Sequence, residues 1–247
     1  MKLAMRGIGH AYFGRTVLED FDLALNAGEV IARIGPSGCG KTTVLQIAAD
    51  LLDPSRGEVE RLYRRHAVVF QEPRLLPWMT ALDNIAYGLT ADGLPKAKAR
   101  EIAAGRALEV GLAEEDFGKY PAELSGGMRQ RASVARALAV TPEVIYFDEP
   151  FTAVDVGLKR ILQDLVIAAA SRESFSALFV THDLAEAVRV ANRLVVMSTR
   201  KGEVAARRDI AGRPGERSSR EIFELVETWS VDPVFAELFD HEVRGGQ

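Results

Sequence analysis

The segment Gly35-Pro36-Ser37-Gly38-Cys39-Gly40-Lys41-Thr42 constrains the fold more than any other part of this chain. It fits G-x-x-x-x-G-K-[ST] in full, between a short apolar run and a stretch with helical spacing. The apolar run, Glu29–Ile34, reads as a strand. The stretch from Lys41 to Leu52 places Val44, Ile47, Ala48 and Leu51 on one helical face. A strand, a glycine-rich turn and a helix in that order form a phosphate cradle. The glycines let backbone N–H groups turn inward on phosphate oxygens, and the helix N-terminus adds positive potential. Lys41 can reach the β- and γ-phosphates and the Thr42 hydroxyl can ligate Mg²⁺, with Thr43 beside it. Cys39 inside the loop is either a small packing residue or a reactive thiol.

The rest of the chain extends this α/β reading. Ala67–Phe70, Glu143–Phe147, Ala177–Thr181 and Arg193–Met197 are short strand candidates. Residues 156–170 place Leu158, Ile161, Leu162, Leu165 and Ala169 on one helical face. Strands alternating with helices predict a mainly parallel sheet with helices packed on it. From about 74 to 140 no clear strand is seen, so this segment reads as a helical insertion. The Arg213–Arg217 stretch is a breaker. Beyond it Ser218 and Glu221 fit a capping box. Ile222, Leu225, Val226 and Trp229 then form an amphipathic helix. That helix either packs on its parent domain or faces a membrane or a partner.

Composition narrows the function classes. The 247 residues are enough for one large domain or two small ones. A single cysteine excludes an intramolecular disulfide and any multi-cysteine metal site. The net charge of −4 speaks against a generally basic nucleic-acid binder, though it leaves room for a local basic groove. No run approaches the ~20 apolar residues that span a bilayer, and the N-terminus shows no signal peptide. The expectation is therefore a chain that is cytoplasmic, or attached to a membrane only through a partner.

Two further segments carry chemistry. Val144–Phe147 ends in Asp148 and Glu149. Beside a phosphate loop, the first carboxylate can hold Mg²⁺ through water, and the second can polarise an attacking water. Ser125-Gly126-Gly127, before a helical run with Ala132, Ala135, Leu138 and Ala139, sets a second group of N–H donors at a helix N-terminus. One chain thus carries two separate phosphate-binding devices.

Through Leu124-Ser125-Gly126-Gly127-Met128-Arg129-Gln130-Arg131 the sequence resembles the ATP-binding subunits of ABC transporters, from about residue 3 to about 200. The resemblance implies a RecA-like core, an N-terminal antiparallel β-subdomain and a helical subdomain at about 74–140. It implies one ATPase domain over residues 1–212, followed by a short helical tail over 213–247. It implies ATP and Mg²⁺ as cofactors. Tyr12 would stack on adenine, with Phe13 as rival and core packing as the alternative for both. Gln71 would be the Q-loop glutamine, ligating Mg²⁺ and water. Asp155 would close the D-loop Phe151-Thr152-Ala153-Val154-Asp155, in which Thr152 and Val154 depart from the usual Ser and Leu. His182 would contact the γ-phosphate, whereas His10, His66 and His241 match no motif. Ser125, Gly126 and Gly127 would act on ATP held by the opposing subunit of a homodimer.

The segment Glu72–Thr80, with Pro73, Pro77 and Trp78, resembles the nitrate/sulfonate/taurine importer branch. There it would receive the coupling helix of a membrane permease; an apolar hinge is the alternative for Trp78. A solute-binding protein would act indirectly, no nucleic acid is implied, and the site of action would be the cytoplasmic side of the inner membrane. The other class weighed is a soluble ABC ATPase of DNA repair or translation. The short stretch from Lys41 to Leu124 has no sustained heptads for the coiled coil of the repair relatives, and one cassette is present where translation relatives carry two. A P-loop kinase leaves Ser125-Gly126-Gly127 and His182 unexplained.

Overall fold

The computed structural model describes residues 1–151, 156–173, 175–198 and 202–235. In chain order the elements are β1 (Leu3–Tyr12), β2 (Arg15–Leu25), β3 (Val30–Ile34), α1 (Lys41–Ala48), β4 (Arg56–Arg61) and β5 (His66–Val69). Then come α2 (Ala81–Ala91), α3 (Lys96–Glu109), α4 (Gly126–Ala139), β6 (Val144–Asp148) and α5 (Val156–Glu173). The last are β7 (Ser176–Val180), α6 (Leu184–Val190), β8 (Arg193–Met197), β9 (Val204–Asp209) and α7 (Ser219–Ser230). The chain divides into two compact units, Met1–Tyr63 with Ser176–Gln247, and Arg64–Phe175.

The first unit holds two sheets. One is antiparallel, in the order β2-β1-β4. In the other, β3 lies between the parallel strands β7 and β8, with β9 antiparallel outside β8. Every residue of β3 and β7 is buried, as strands covered on both faces require. One of them is charged. Arg33 is wholly buried, donates to the Lys41 carbonyl at 3.1 Å and lies 5.1 Å from the centre of the Phe21 ring.

Helix α1 ends four residues earlier than its apolar spacing predicts. Arg61 of β4 donates to the carbonyls of Ile47 (2.6 Å) and Ala48 (3.1 Å), and the Tyr63 hydroxyl reaches Ala48 (3.3 Å). These donors satisfy the last carbonyls. Asp50 then takes a left-handed φ of 62° and pairs with Arg61. Leu51 consequently leaves the buried face and is 53% exposed.

The second unit pairs β5 with β6 in parallel and packs α2, α3 and α4 on one another. Residues 74–140 hold these helices and two single-turn 3₁₀ segments, with no strand. Among the described side chains of α5, Leu162, Gln163, Val166 and Ala169 are buried, so the expected face is rotated by one position and Ile161 points to solvent. The side chain of Leu158 lies outside the described residues. In the tail, Ser218 and Glu221 form the expected capping box, and α7 packs on α6 with Ile222 buried. The packed reading of that helix is therefore the one the structure bears out.

Candidate functional site

In the first unit, the phosphate loop leaves the carboxyl end of β3 and runs into α1. Gly40 caps the helix at φ 92°. A Cβ there would lie 2.9 Å from Leu18 Cδ2, so only glycine fits both the conformation and the space. Gly35 is as constrained by its surroundings: a Cβ would lie 2.7 Å from Cys39 Sγ and from Met197 Cβ. Ser37, Gly38 and Thr42 are exposed, while Pro36, Cys39, Lys41 and Thr43 are buried. The loop thus opens to solvent where a phosphate chain would enter. Lys41 Nζ donates to the carbonyls of Gly35 (2.6 Å) and Pro36 (2.9 Å). The ammonium is held over its own loop by carbonyl oxygens, which phosphate oxygens could replace. Burial of Cys39 favours the packing reading over a reactive thiol.

His182 follows β7 at the same sheet edge. Val180 pairs with Arg33, and the Thr181 N–H donates to the Arg33 carbonyl at 3.1 Å. His182 itself is exposed. This is the edge outside the strand carboxyl ends where open α/β sheets bind ligands. Tyr12 ends β1 and pairs with Arg15 across a two-residue turn, in which Phe13 and Gly14 have φ of 48° and 80°. Both aromatic rings are exposed, so core packing is excluded for both. Tyr12 is braced edge-on by His10, with ring centres 4.7 Å apart, whereas Phe13 sits at the tip.

In the second unit, β5 and β6 deliver another set to one edge. Val69 pairs with Phe147, so the exposed Gln71 and the carboxylates of Asp148 and Glu149 leave the strands side by side. Asp148 is 9% exposed. Glu149 has a left-handed φ of 45°, uncommon for a non-glycine residue and of the kind found at functional sites. Ser125 caps α4, its Oγ accepting from the Met128 N–H at 3.2 Å. The N–H groups of Gly126 and Gly127 then begin the helix, where no intrahelical acceptor exists. Ser125 and Gly126 are exposed and Gly127 is half-buried.

Helix α4 also grips both strand exits. Gln130 Nε2 donates to the Pro150 carbonyl at 2.5 Å. Arg136 donates to the carbonyls of Pro73 (2.8 Å) and Arg74 (2.9 Å). The D-loop residues Thr152–Asp155 and His241 lie outside the described residues. His66 is accounted for by an edge contact with Tyr146.

Asn84 belongs to no motif in the sequence. It is wholly buried in α2 and accepts from the Leu76 N–H at 2.7 Å. Its amide donates to the carbonyls of Leu76, Met79 and Thr80, each at 3.1 Å. It fixes the loop that carries Trp78, which is 69% exposed. Trp78, Tyr87, Leu94 and Tyr120 help to line a groove of about 480 Å³. The available signal was a polar residue on an apolar helical face, directly after the cap Thr80 and its partner Asp83.

A strand, a glycine-rich loop, a lysine and a helix in this geometry define a P-loop nucleotide-binding α/β fold. The family model described as ABC transporter matches residues 18–152. An aliphatic sulfonates import ATP-binding protein, SsuB 2 of Pseudomonas syringae pv. tomato, is 43% identical over 195 residues, covering 78% of this chain and 81% of that protein. SsuB of Rhodopseudomonas palustris is 40% identical over 231 residues, covering 91% and 80%. The solved structure of MJ0796, a dimeric bacterial ABC transporter cassette, superposes with a TM-score of 0.79 at 27% identity, over 85% of this chain and 99% of that one. The same cassette was also solved as a dimer bound to ADP and Pi. The chain belongs to the ABC transporter family and is an ATP-binding ATPase of it. No helix among the described residues is long and apolar enough to cross a membrane.

Proposed function

We propose that this chain hydrolyses ATP to drive an importer of small anionic solutes, with an aliphatic sulfonate as the leading candidate and nitrate or taurine as the others. The observation that carries the reading is the identity of 40–43% to sulfonate import ATP-binding proteins over most of both chains. In this reading residues 1–212 are the ATPase domain, 74–140 its helical part and 213–247 a tail.

The loop Gly35-Pro36-Ser37-Gly38-Cys39-Gly40-Lys41 wraps the phosphates, with Thr42 and Thr43 opening the helix. Lys41 exchanges its two carbonyl partners for the β- and γ-phosphate oxygens. Tyr12 stacks on the adenine, worth ~1–3 kcal/mol in comparable base–aromatic contacts. Glu149 orients and deprotonates the attacking water, a role worth ~10²–10⁴ in rate. His182 and Gln71 report the γ-phosphate, and Asp155 serves at the contact between subunits. Thr42, Gln71 and Asp148 offer oxygen donors only, which suits a hard dication such as Mg²⁺. When bound, that ion would neutralise charge developing on the phosphates. Ser125, Gly126 and Gly127 donate to the nucleotide of a second copy, so ATP closes a homodimer.

In this reading the exposed Trp78 and its groove receive the membrane permease, and the subunit works on the cytoplasmic side of the membrane. A solute-binding protein acts through that permease. The test is co-expression with the permease, reconstitution in proteoliposomes, and ATPase assays with solute-binding protein loaded by sulfonate, nitrate or taurine. Stimulation by one of these solutes is expected. An active chain that associates with no membrane protein would contradict the reading.

A further inference from the structure

Arg217 lies in the breaker before α7, yet it is 6% exposed. A guanidinium has five N–H donors, and here each meets a backbone carbonyl. Nε donates to Ala211 (2.7 Å), Nη1 to Val188 (2.7 Å) and Ala191 (2.9 Å), and Nη2 to Ile210 (3.0 Å) and Gly212 (2.7 Å). Val188 and Ala191 are at the C-terminal end of α6, where carbonyls lack intrahelical donors and a cation is favoured by the helix dipole. The other three carbonyls belong to the segment leaving β9. One side chain therefore ties the end of α6 to the tail.

The opposite end of α6 abuts His182. Asp183 caps the helix, accepting from the Glu186 N–H at 3.0 Å. The Asp183 N–H donates to Thr181 Oγ1 at 3.1 Å, and the Thr181 hydroxyl in turn donates to the Glu186 carboxylate. His182 is thus the one exposed residue between a fixed strand end and a clamped helix. With seven residues, α6 is roughly 10 Å long. A tilt at its far end reaches the histidine without absorption in a flexible loop.

We propose that Arg217 is a positioning residue for the ATPase reaction, setting α6 and through it the placement of His182. This rests on the reading that His182 contacts the γ-phosphate. A displacement of ~1 Å from a remote change can cost about a hundredfold in rate; a lysine, which keeps the charge but loses the fork, should cost less, about tenfold.

The test uses the full chain with Arg217→Lys, Arg217→Met, His182→Ala and the double variant His182→Ala/Arg217→Lys. The ring resonances of the four histidines are recorded by NMR, with His182 identified from its alanine variant. Expected are a shifted His182 resonance with the other three unmoved, kcat about tenfold lower for Arg217→Lys, and ATP Kd within about twofold. Adding Arg217→Lys to His182→Ala should cost nothing further. If Arg217→Met does not fold, Arg217→Lys alone carries the test. An unmoved His182 resonance and unchanged kcat in a folded Arg217→Lys protein would overturn the proposal. If instead the resonance moves while His182→Ala hydrolyses ATP normally, the positioning stands and the role assigned to His182 fails.

Discussion

Asn84→Asp removes one donor group from the centre of the second unit while hardly changing shape. The new carboxylate still accepts from the Leu76 N–H, now 2.7 Å from Oδ1. It cannot donate to the carbonyls of Leu76, Met79 and Thr80 that the amide now serves at 3.1 Å. Two donor hydrogens lost at ~1 kcal/mol each give about 2 kcal/mol, and burying the charge adds at least ~1 kcal/mol. A loss of about 3 kcal/mol corresponds to a fall in Tm of roughly 6–12 °C for a chain of this size. The pH dependence has a definite sign. A carboxyl facing carbonyl oxygens has a raised folded pKa, so the loss is smallest in acid and grows as pH rises through the carboxylate range. Denaturant unfolding at several pH values and amide exchange at Leu76 measure it. A variant as stable as the parent at pH 7, with unchanged exchange at Leu76, would refute the reasoning.

Trp78→Ala should leave the ATPase of the free subunit within about twofold and reduce stimulation by the permease at least tenfold; an equal loss in both assays would point to folding. The seat of α7 should loosen in acid. Hydrogen bonds from the Ser218 hydroxyl and then its backbone N–H hold the Glu221 carboxyl below its usual range, and the Val234 N–H and then Arg208 do the same for Asp232. Their stabilisation is present above the ordinary carboxylate pKa and is lost as pH falls below about 4. In a Trp78→Phe background, Trp229, now stacked 5.6 Å from Phe235, should change its emission between pH 5 and pH 3 before the far-UV signal collapses. Constant emission over that range would count against the capping account.

The phosphate loop was legible because its determinants are adjacent in the chain: the glycines, the lysine and the flanking strand and helix. The α4 N-terminus was legible for the same reason, with Ser125 as cap and alanines at helical spacing. The end of α1 was not, because Arg61 on β4 satisfies its last carbonyls. Spacing alone could not register a donor from a different element. Strand β4, Arg-Gly-Glu-Val-Glu-Arg, is half-exposed and charged, so no apolar run announces it. Asn84 and Arg217 look like surface residues in the sequence and become buried hubs only when carbonyls from other segments converge on them. The two aromatics at the β1–β2 turn were left open by the sequence, and their exposure removed only the core alternative.

The central claim is that Glu149 drives hydrolysis in an ATP-closed dimer. Glu149→Gln keeps the shape at this left-handed position and removes the base, so turnover should fall by ~10²–10⁴ while ATP binding persists. Sedimentation of Glu149→Gln with Mg²⁺ and ATP, against the same sample with ADP, tests it most directly. The account predicts a dimer with ATP, a monomer with ADP, and negligible phosphate release. A variant that remains monomeric in ATP and hydrolyses it at the parental rate would contradict both the base and the dimer.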